Sequence, residues 1–284
     1  MKSFIENWLP PKIVFYLKQQ RLKYRHYKRN AKSLFEKNVV LKDKHLSDRC
    51  FIIGTGSSIV KQDLKLLKDE YVIGVSGLFT HKDIESIQLN YHVLAPVFEY
   101  HAQYQDRLNY INWLKDMDDT LSDDVVMCIH IGDKKYIDEN NIFKNKKIYW
   151  NDYAAWKESE SIENIDLEYI PAIYSVSETA ISTALYMGFK EIYLLGFDHD
   201  WFDATYIYFD KVAYMKHWKG LEDKSKKLGV DAEFQMRRHA QIFNKYKKLF
   251  ALKKNIFNAN SNLKSYVDTF PKVKYEELFN DRDS

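Results

Sequence analysis

The hydrophobic positions of this chain fall into short runs along its first half. Five runs of Val-, Ile- and Tyr-rich sequence are each bounded by polar or small residues, which is typical of strands. They are Cys50–Ile53, Tyr71–Val75, Tyr91–Leu94, Val125–His130 and Lys147–Trp150. The aromatic-rich stretch 99–115 between the third and fourth runs is predicted to be helical. The first half therefore alternates predicted strands with helical or irregular connections.

A helix followed directly by a strand is clearest in the second half. Apolar residues recur with helical spacing over Ser177–Met187, Gly188 ends the helix, and Glu191–Gly196 is a buried run. This order is typical of a parallel αβ unit. A long helix over Ala232–Leu252 and a last strand at Asn255–Asn258 follow. We predict an α/β fold, with a Rossmann-like, mostly parallel sheet in a single domain over residues 50–284.

The pattern breaks up between these units, over residues 202–231. Aromatic residues and lysines are frequent there and aliphatic repeats are few, so we predict a lid inserted into the domain. The chain has 284 residues, of which 45% are hydrophobic and 29% charged, as expected of one large globular domain. Its two cysteines, Cys50 and Cys128, form neither a disulfide framework nor a metal motif, which favours a reducing cytoplasm.

Residues 1–49 form a basic extension with a different composition. The first 50 residues hold 13 lysines and arginines against four acidic residues. Aromatic and aliphatic residues alternate with these cations from Phe4 to Tyr27, as in a helix lying on a membrane surface. Packing on the domain or oligomer contacts explain the pattern equally well. We expect peripheral membrane contact through residues 1–45 or a homo-oligomer, no membrane-spanning helix, and no nucleic-acid partner.

A glycine-rich loop follows the first predicted strand. Gly54-Thr55-Gly56-Ser57-Ser58 offers backbone N–H groups at a turn, and its small residues allow a phosphate to come close. The loop lacks the third glycine of a dinucleotide fingerprint and the Gly-Lys-Ser/Thr of a P-loop. A nucleotide-phosphate site and a tight strand-to-helix turn both remain open at this point.

A second candidate lies just after the strand that ends at Gly196. Asp198 and Asp200 are spaced by one residue, so they could share a divalent cation such as Mg²⁺ with a diphosphate. Alternatively, Asp198 is a structural acceptor for loop N–H groups while His199 and Asp200 are simply solvated. We expect no resident cofactor, with Mg²⁺ left open.

The third candidate is a histidine near the start of the long C-terminal helix. His239 could act as a general base on an acceptor hydroxyl, because its ordinary pKa lies close to neutral. Arg237 and Arg238 beside it could neutralise a phosphate or an acidic sugar. His217 in the predicted lid is the competing base.

Three segments together resemble two related groups of proteins. They read FIIGTGSSI from Phe51, VIGVSG from Val72 and GFKEIYLLGFD from Gly188. One group is the bacterial sialyltransferases of glycosyltransferase family 42. The other contains a hydroxymethylpterin-diphosphokinase-like domain and includes the flagellin-glycosylating motility accessory factors. The resemblance covers residues 50–200 in segments.

The resemblance implies a site for the CMP part of a nucleotide-sugar donor. It assigns this role to Thr55, Gly56, Ser57, Ser58, Ser76 and Gly77, and we add Gly54 and Ser177 to the nucleotide site. It matches Tyr206 and Asp200 to two tyrosines that steady the leaving phosphate. The family's Asn-Pro is matched by Ala95-Pro96, and its catalytic histidine lies several residues out of register with His239.

We therefore expect a glycosyltransferase of bacterial surface-glycan assembly. Its donor would be a CMP-linked nonulosonic acid such as sialic acid, and its acceptor a glycan or lipid-linked oligosaccharide. His239, Asp198 and Tyr206 are the predicted catalytic residues. Two alternatives stay open: a metal-dependent diphosphokinase that uses ATP, and a non-catalytic nucleotide-binding protein of a glycan-assembly complex.

Overall fold

The centre of the molecule is a parallel sheet of seven strands. The computed structural model describes residues 9–96, 104–200, 232–260 and 265–282. Its strands are β1 (Arg49–Ile53), β2 (Tyr71–Val75), β3 (Leu89–Val93), β4 (Val126–His130), β5 (Ile148–Asn151), β8 (Glu191–Leu195) and β9 (Ile256–Asn258). They lie in the order β5-β4-β3-β2-β1-β8-β9, and every neighbouring pair is parallel. A second small sheet pairs β6 (Tyr153–Ala154) with β7 (Ile170–Pro171).

Helices connect these strands and cover the sheet. They are α1 (Pro11–Lys28), α2 (Lys32–Phe35), α3 (Tyr104–Thr120), α4 (Lys134–Glu139), α5 (Val176–Tyr186) and α6 (Ala232–Leu252). Side chains alternate between the two faces of each strand. Phe51, Met127 and Leu195 therefore belong to one core cluster, and Cys50, Ile52 and Leu194 to the other. The predicted α/β fold with a Rossmann-like sheet is confirmed.

The first face is covered by α3, α4 and the C-terminal segment, which contribute Trp113, Met117 and Tyr275. The second face is covered by α5 and α6, which contribute Ala180, Ile181 and Tyr246. A sheet buried on both faces explains why its strands are short continuous apolar runs in the sequence.

The basic N-terminal segment is tied to the body of the fold. Arg25 donates to Asp152 over 2.7 Å, and His26 Nε2 lies 2.9 Å from the same carboxylate. Ala31 and Phe35 are buried in the first core cluster and Leu41 in the second. From Leu22 onward, this segment therefore contributes to the core, while a division of the chain at residue 49 stays a prediction.

Some elements differ from the sequence-based expectation. The helix expected over residues 99–115 is observed at Tyr104–Thr120, and the small β6–β7 sheet had no recognisable pattern because each strand has two residues. The expected lid over residues 202–231 lies outside the described residues, as do Tyr206 and His217. Among the helices that the structure describes, none has the length and apolar character needed to cross a bilayer.

Candidate functional site

The strand order reverses between β1 and β8, and a cleft opens at this point. From β1 the chain adds β2 to β5 on one side, whereas β8 and β9 lie on the other. In open parallel sheets, ligands bind beyond the carboxyl ends of the strands at such a reversal. The cleft is open to solvent, and the volume available within it to the centres of water molecules is about 40 Å³. Its walls are 54–56, Val75, 175–176 and 196–200.

The glycines of the two strand ends allow their backbones to touch. Gly54 N donates to Leu195 O over 2.7 Å, and Gly56 N donates to Gly196 O over 2.9 Å. A Cβ atom on Gly54 would lie 2.5 Å from Gly196 O, and one on Gly56 would lie 2.6 Å from it. Gly196 itself has a φ of +68°, which favours glycine. Close packing of the two loops therefore explains these glycines without a ligand.

Asp198 holds the glycine loop in place. Its carboxylate accepts the Ser58 N–H over 3.0 Å and the Ser58 hydroxyl over 2.5 Å. Asn260 Nδ2 donates to it over 2.6 Å, and the Ser57 hydroxyl over 3.5 Å. Asp198 and Ser58 are both buried. These contacts support the interpretation of Asp198 as a structural acceptor, and a catalytic role for it stays a prediction.

The Ser58 N–H is therefore directed at Asp198, and its hydroxyl lies between Asp198 and Asn260 Oδ1. The loop presents Thr55 and Gly56 to the cleft. The predicted partner of the loop, at the end of β2, lies beside it. A Cβ atom on Gly77 would lie 4.0 Å from the Thr55 methyl group. Ser76 has a φ of +52°, and its carbonyl accepts the His92 Nε2–H over 3.0 Å. The two segments assigned to the nucleotide are thus neighbours.

The N-terminus of α5 forms another wall of the cleft. Ser175 caps the helix, and the Glu178 carboxylate accepts the N–H groups of Tyr174 and Ser175, each over 2.7 Å. Lys245 Nζ lies 3.7 Å from Glu178, and both are almost fully buried. Burial raises the pKa of Glu178 and lowers that of Lys245. The positive end of the α5 dipole, which favours anions, faces the cleft.

Ser177 belongs to a chain of hydrogen bonds behind this wall. The Tyr246 hydroxyl donates to Ser177 Oγ over 2.6 Å, and the Ser177 hydroxyl donates to Ser175 Oγ over 3.0 Å. Because the Tyr246 proton is used in this way, the His199 Nε2–H donates to the Tyr246 oxygen, over 2.8 Å. Ser177 is itself buried. It is connected to the cleft through its hydrogen bond to Ser175.

His199 is the titratable side chain of the cleft that sequence reasoning missed. It lines the cleft, is buried and has a φ of +54°. Burial, followed by the nearby His239 and Arg238, lowers its pKa to about 3, so the ring is neutral at neutral pH. With Nε2 donating to Tyr246, its basic nitrogen is Nδ1. His199 was considered only in the alternative interpretation of this loop, in which it is simply solvated. The buried strand that precedes His199 was the only feature of the sequence that indicated its burial.

His239 lies directly behind His199. The two ring centroids are 5.5 Å apart and the ring planes are perpendicular. His239 Nδ1 lies 2.6 Å from Gln235 O, and burial lowers its pKa. The predicted base is therefore brought to the cleft, but as a second layer. Arg237 pairs with Glu233 on the outer side of α6, and Arg238 donates to Tyr174 O over 2.8 Å.

The Asp198–Asp200 pair does not form a ready metal site. Both residues line the cleft, but Asp198 already accepts hydrogen bonds from two elements. Within the described residues, no group of three or more His, Cys, Asp or Glu side chains could hold a metal ion. A shared Mg²⁺ would require Asp198 to release Ser58 or Asn260, so this role stays a prediction.

No protein-family model matches the chain, and no curated protein matches it. The functional assignment therefore depends on the cleft and its residues.

Proposed function

We propose that the chain is a glycosyltransferase that binds a nucleotide-sugar in the cleft between β1 and β8. The observation that carries this proposal is the position of the cleft at the reversal of strand order, with a helix N-terminus and a buried histidine in its walls. Nucleotides are bound at this position in many parallel α/β sheets. Of the segments that resemble sialyltransferases, residues 54–56 line the cleft, and Gly77 lies beside Thr55.

Opposing charges line the cleft: the carboxylates of Asp198 and Asp200 disfavour an anionic ligand, and the N-terminus of α5 favours one. The N-terminus of α5 supplies a positive dipole, and Lys245 balances the charge of Glu178, which would otherwise repel a phosphate. Thr55 and Val176 line the cleft, and Gly77 lies beside Thr55. Gly77 in particular has space beside its Cα, since its nearest neighbour in that direction is 4.0 Å away.

His199 Nδ1 is buried; in the proposed reaction it becomes accessible to the acceptor when substrate binds, and His239 supports the ring. The acceptor hydroxyl gives its proton to His199 Nδ1 while its oxygen bonds to the anomeric carbon of the donor sugar. The bond from that carbon to the phosphate oxygen breaks, and its electron pair leaves with the nucleotide. An anionic phosphate nearby raises the pKa of a histidine, so binding of the donor would increase the basicity of His199. CMP-linked nonulosonic acid is the first donor to test.

A thermal-shift screen of the full-length protein with CMP, UDP, GDP and ATP, each with and without Mg²⁺, tests the nucleotide site. Stabilisation grows with the ratio of ligand concentration to dissociation constant, so we expect CMP to raise the melting temperature most. Stabilisation by ATP alone, and only with Mg²⁺, would instead favour the diphosphokinase alternative. No response to any nucleotide would contradict the proposal.

Two variants at one position locate the site. Val176→Asp places a carboxylate at the N-terminus of α5, which favours the helix but repels a phosphate. Val176→Asn has nearly the same shape without the charge. We expect Val176→Asp to weaken nucleotide binding at least tenfold more than Val176→Asn while both remain folded. Equal binding by the two variants would place the nucleotide elsewhere.

Turnover separates a transferase from a binding protein. His199→Asn removes the proposed base, so we expect donor hydrolysis or transfer to fall by about 10²–10⁴-fold, with nucleotide binding retained. Absence of turnover in the wild type with every donor that binds would favour the non-catalytic alternative.

A further inference from the structure

Helix α1 has two apolar sides, of which the body of the fold uses one. On the docked side Leu22 and His26 are buried, Gln19 donates to Ala155 O over 3.2 Å, and Lys157 lies over the Phe15 ring. A surface helix that packs on a domain needs only one apolar face. The opposite face of α1 is nevertheless apolar and aromatic.

This second face forms an exposed stripe, which Gln20 interrupts. With 3.6 residues per turn, positions 13, 16, 17, 20, 24 and 27 lie on the same side of a helix. The apolar and aromatic members of this set are exposed by 45 to 80%: Ile13, Tyr16, Leu17, Tyr24 and Tyr27. We name these five residues the α1 stripe. Tyrosine is a residue that membrane proteins place at the level of lipid headgroups.

Positive charge borders the α1 stripe on both sides. At 100° per residue, Lys12 and Lys23 lie along one border, and Arg21 and Lys28 along the other. The helix contains no acidic residue over Pro11–Lys28. Long basic side chains can lay their carbon stems along an apolar surface and extend their charges to lipid phosphates. An apolar stripe between two rows of cations is complementary to an anionic bilayer surface.

The docking of α1 places its last turn at one edge of the sheet. Its last turn binds Asp152, which follows the end of β5. Asp152 Oδ1 also lies 2.9 Å from His130 Nε2, at the end of β4. Both positions are at the carboxyl edge of the sheet, where the cleft opens. The last turn of α1 is therefore anchored at the edge of the sheet that carries the cleft.

We propose that α1 binds the surface of an anionic phospholipid bilayer through the α1 stripe and its basic borders. The helix lies in the plane of the headgroups, with the ring edges and aliphatic groups of the stripe below the phosphates. Arg25 and His26 remain on Asp152, so the body of the fold keeps one orientation to the bilayer. This binding is independent of the proposed function.

Vesicle co-sedimentation of the full-length protein tests this proposal. We expect sedimentation with vesicles of phosphatidylcholine containing about 30% phosphatidylglycerol and little with phosphatidylcholine alone, because each cation near an anionic surface adds a factor of about five. The triple change Arg21→Gln, Lys23→Gln and Lys28→Gln should lower the partition coefficient roughly 100-fold. The double change Ile13→Ser and Leu17→Ser should also reduce it at least tenfold.

A matched control uses exposed aliphatic residues outside α1. Val40 and Leu46 are 57% and 63% exposed, so the double change Val40→Ser and Leu46→Ser should leave sedimentation unchanged. Circular dichroism and nucleotide-induced thermal shifts, measured on the same samples, show that the variants are folded and test the cleft separately. Unchanged sedimentation of the Ile13/Leu17 variant would overturn the proposal. A wild-type dimer that this variant dissociates, without vesicle binding, would show that the stripe binds a second copy instead.

Discussion

Two buried carboxylates at the carboxyl edge of the sheet stabilise their surroundings in different ways. Asp198 accepts hydrogen bonds from neutral groups of the glycine loop and from Asn260. Asp152 accepts from the Arg25 guanidinium and two histidines, His26 and His130. The first arrangement positions a loop beside the cleft, and the second attaches a basic helix to the body. The partners of Asp198 bring no positive charge to the wall of the cleft. The ion pair between Asp152 and Arg25 attaches α1 to the body of the fold.

The two histidines that contact Asp152, His26 and His130, differ in their hydrogen bonds. His26 faces carboxylates with both nitrogens, Asp152 at 2.9 Å and Glu168 at 3.2 Å, and both can donate only when the ring is protonated. His130 accepts the Gly132 N–H on Nδ1 over 3.0 Å, so its Nε2–H donates to Asp152 as a neutral ring. Burial raises the pKa of Asp152, but its hydrogen bonds to His130 and His26 and the charge of Arg25 outweigh this and hold it well below its ordinary value.

The largest effect is expected from Asp152→Asn. This change leaves the Arg25 guanidinium and His26 without their buried counter-charge, which typically costs about 3–5 kcal/mol. Urea unfolding measures the loss. Glu168→Gln is the matched control, since Glu168 contacts His26 but is partly exposed, and we expect it to cost less than about 1 kcal/mol. Similar losses in the two variants would show that the Asp152 cluster does not hold α1.

A smaller loss is expected on the cleft side from Gly56→Ala. The new methyl group would lie 2.6 Å from Gly196 O and 2.7 Å from the Asp198 carboxyl carbon, so the two loops must separate, at about 2–3 kcal/mol. Gly77→Ala is the control because its methyl group meets only Thr55, at 4.0 Å. Its stability should be nearly unchanged in thermal or urea unfolding. A Gly77→Ala loss as large as that of Gly56→Ala would contradict the loop-packing argument.

Asp198→Asn should cost about 1–3 kcal/mol in urea unfolding. The amide keeps the size of the side chain but turns one acceptor into a donor, which then faces the donors of Ser58 or Asn260. This loss should be smaller than that of Asp152→Asn, because neutral partners are left unsatisfied rather than buried charges. The reverse order of the two variants would refute the comparison.

The pH dependence of stability should separate the two regions. His199 has a folded pKa of about 3 against an ordinary value of 6.5. Between these values the unfolded chain binds a proton that the folded chain does not, so stability falls as pH falls through this window. His199→Asn should reduce the slope by up to about 1.4 kcal/mol per pH unit. Part of the pH dependence should remain in this variant, because burial also lowers the pKa of His92, to about 4.

Asp152 contributes to the free energy of unfolding over a different pH range. Its folded pKa is depressed below the ordinary 3.8, so its stabilisation is present above that pH and is lost as pH falls below it. Asp152→Asn should therefore alter the slope of unfolding free energy only below about pH 4. A change of slope confined to higher pH in this variant would contradict the assignment of this contribution to Asp152.

The strands and helices could be predicted from the sequence because the pattern that indicates each of them lies within a short segment. The run Tyr71–Val75 is observed with the same bounds as β2, and the helix Ala232–Leu252 with the same bounds as α6. A continuous apolar run or a helical period can be recognised within the segment that forms one strand or one helix. The glycines after β1 were also noticed, but their packing against Gly196 depends on another strand and was not visible.

The side-chain clusters could not be predicted, because their members are far apart in the chain. Ser58 and Asp198 are separated by 140 positions, and His26 and Asp152 by 126. Nothing in the spacing of these residues indicates a contact. His199 was missed for a related reason: its burial comes from Tyr246 and Phe243 on α6, while its sequence neighbours suggest solvent. The roles of Tyr206 and His217 stay predictions.

The place of β1 in the sheet also has a consequence for the order of events during folding. Its pairing with β2 closes a short loop, whereas its pairing with β8 joins residues about 140 positions apart, which is slow because loop closure costs entropy before contacts form. During synthesis, β1 to β5 emerge long before β8. The cleft is therefore expected to assemble late, and an unfinished chain would expose the apolar edge of β1 until β8 arrives.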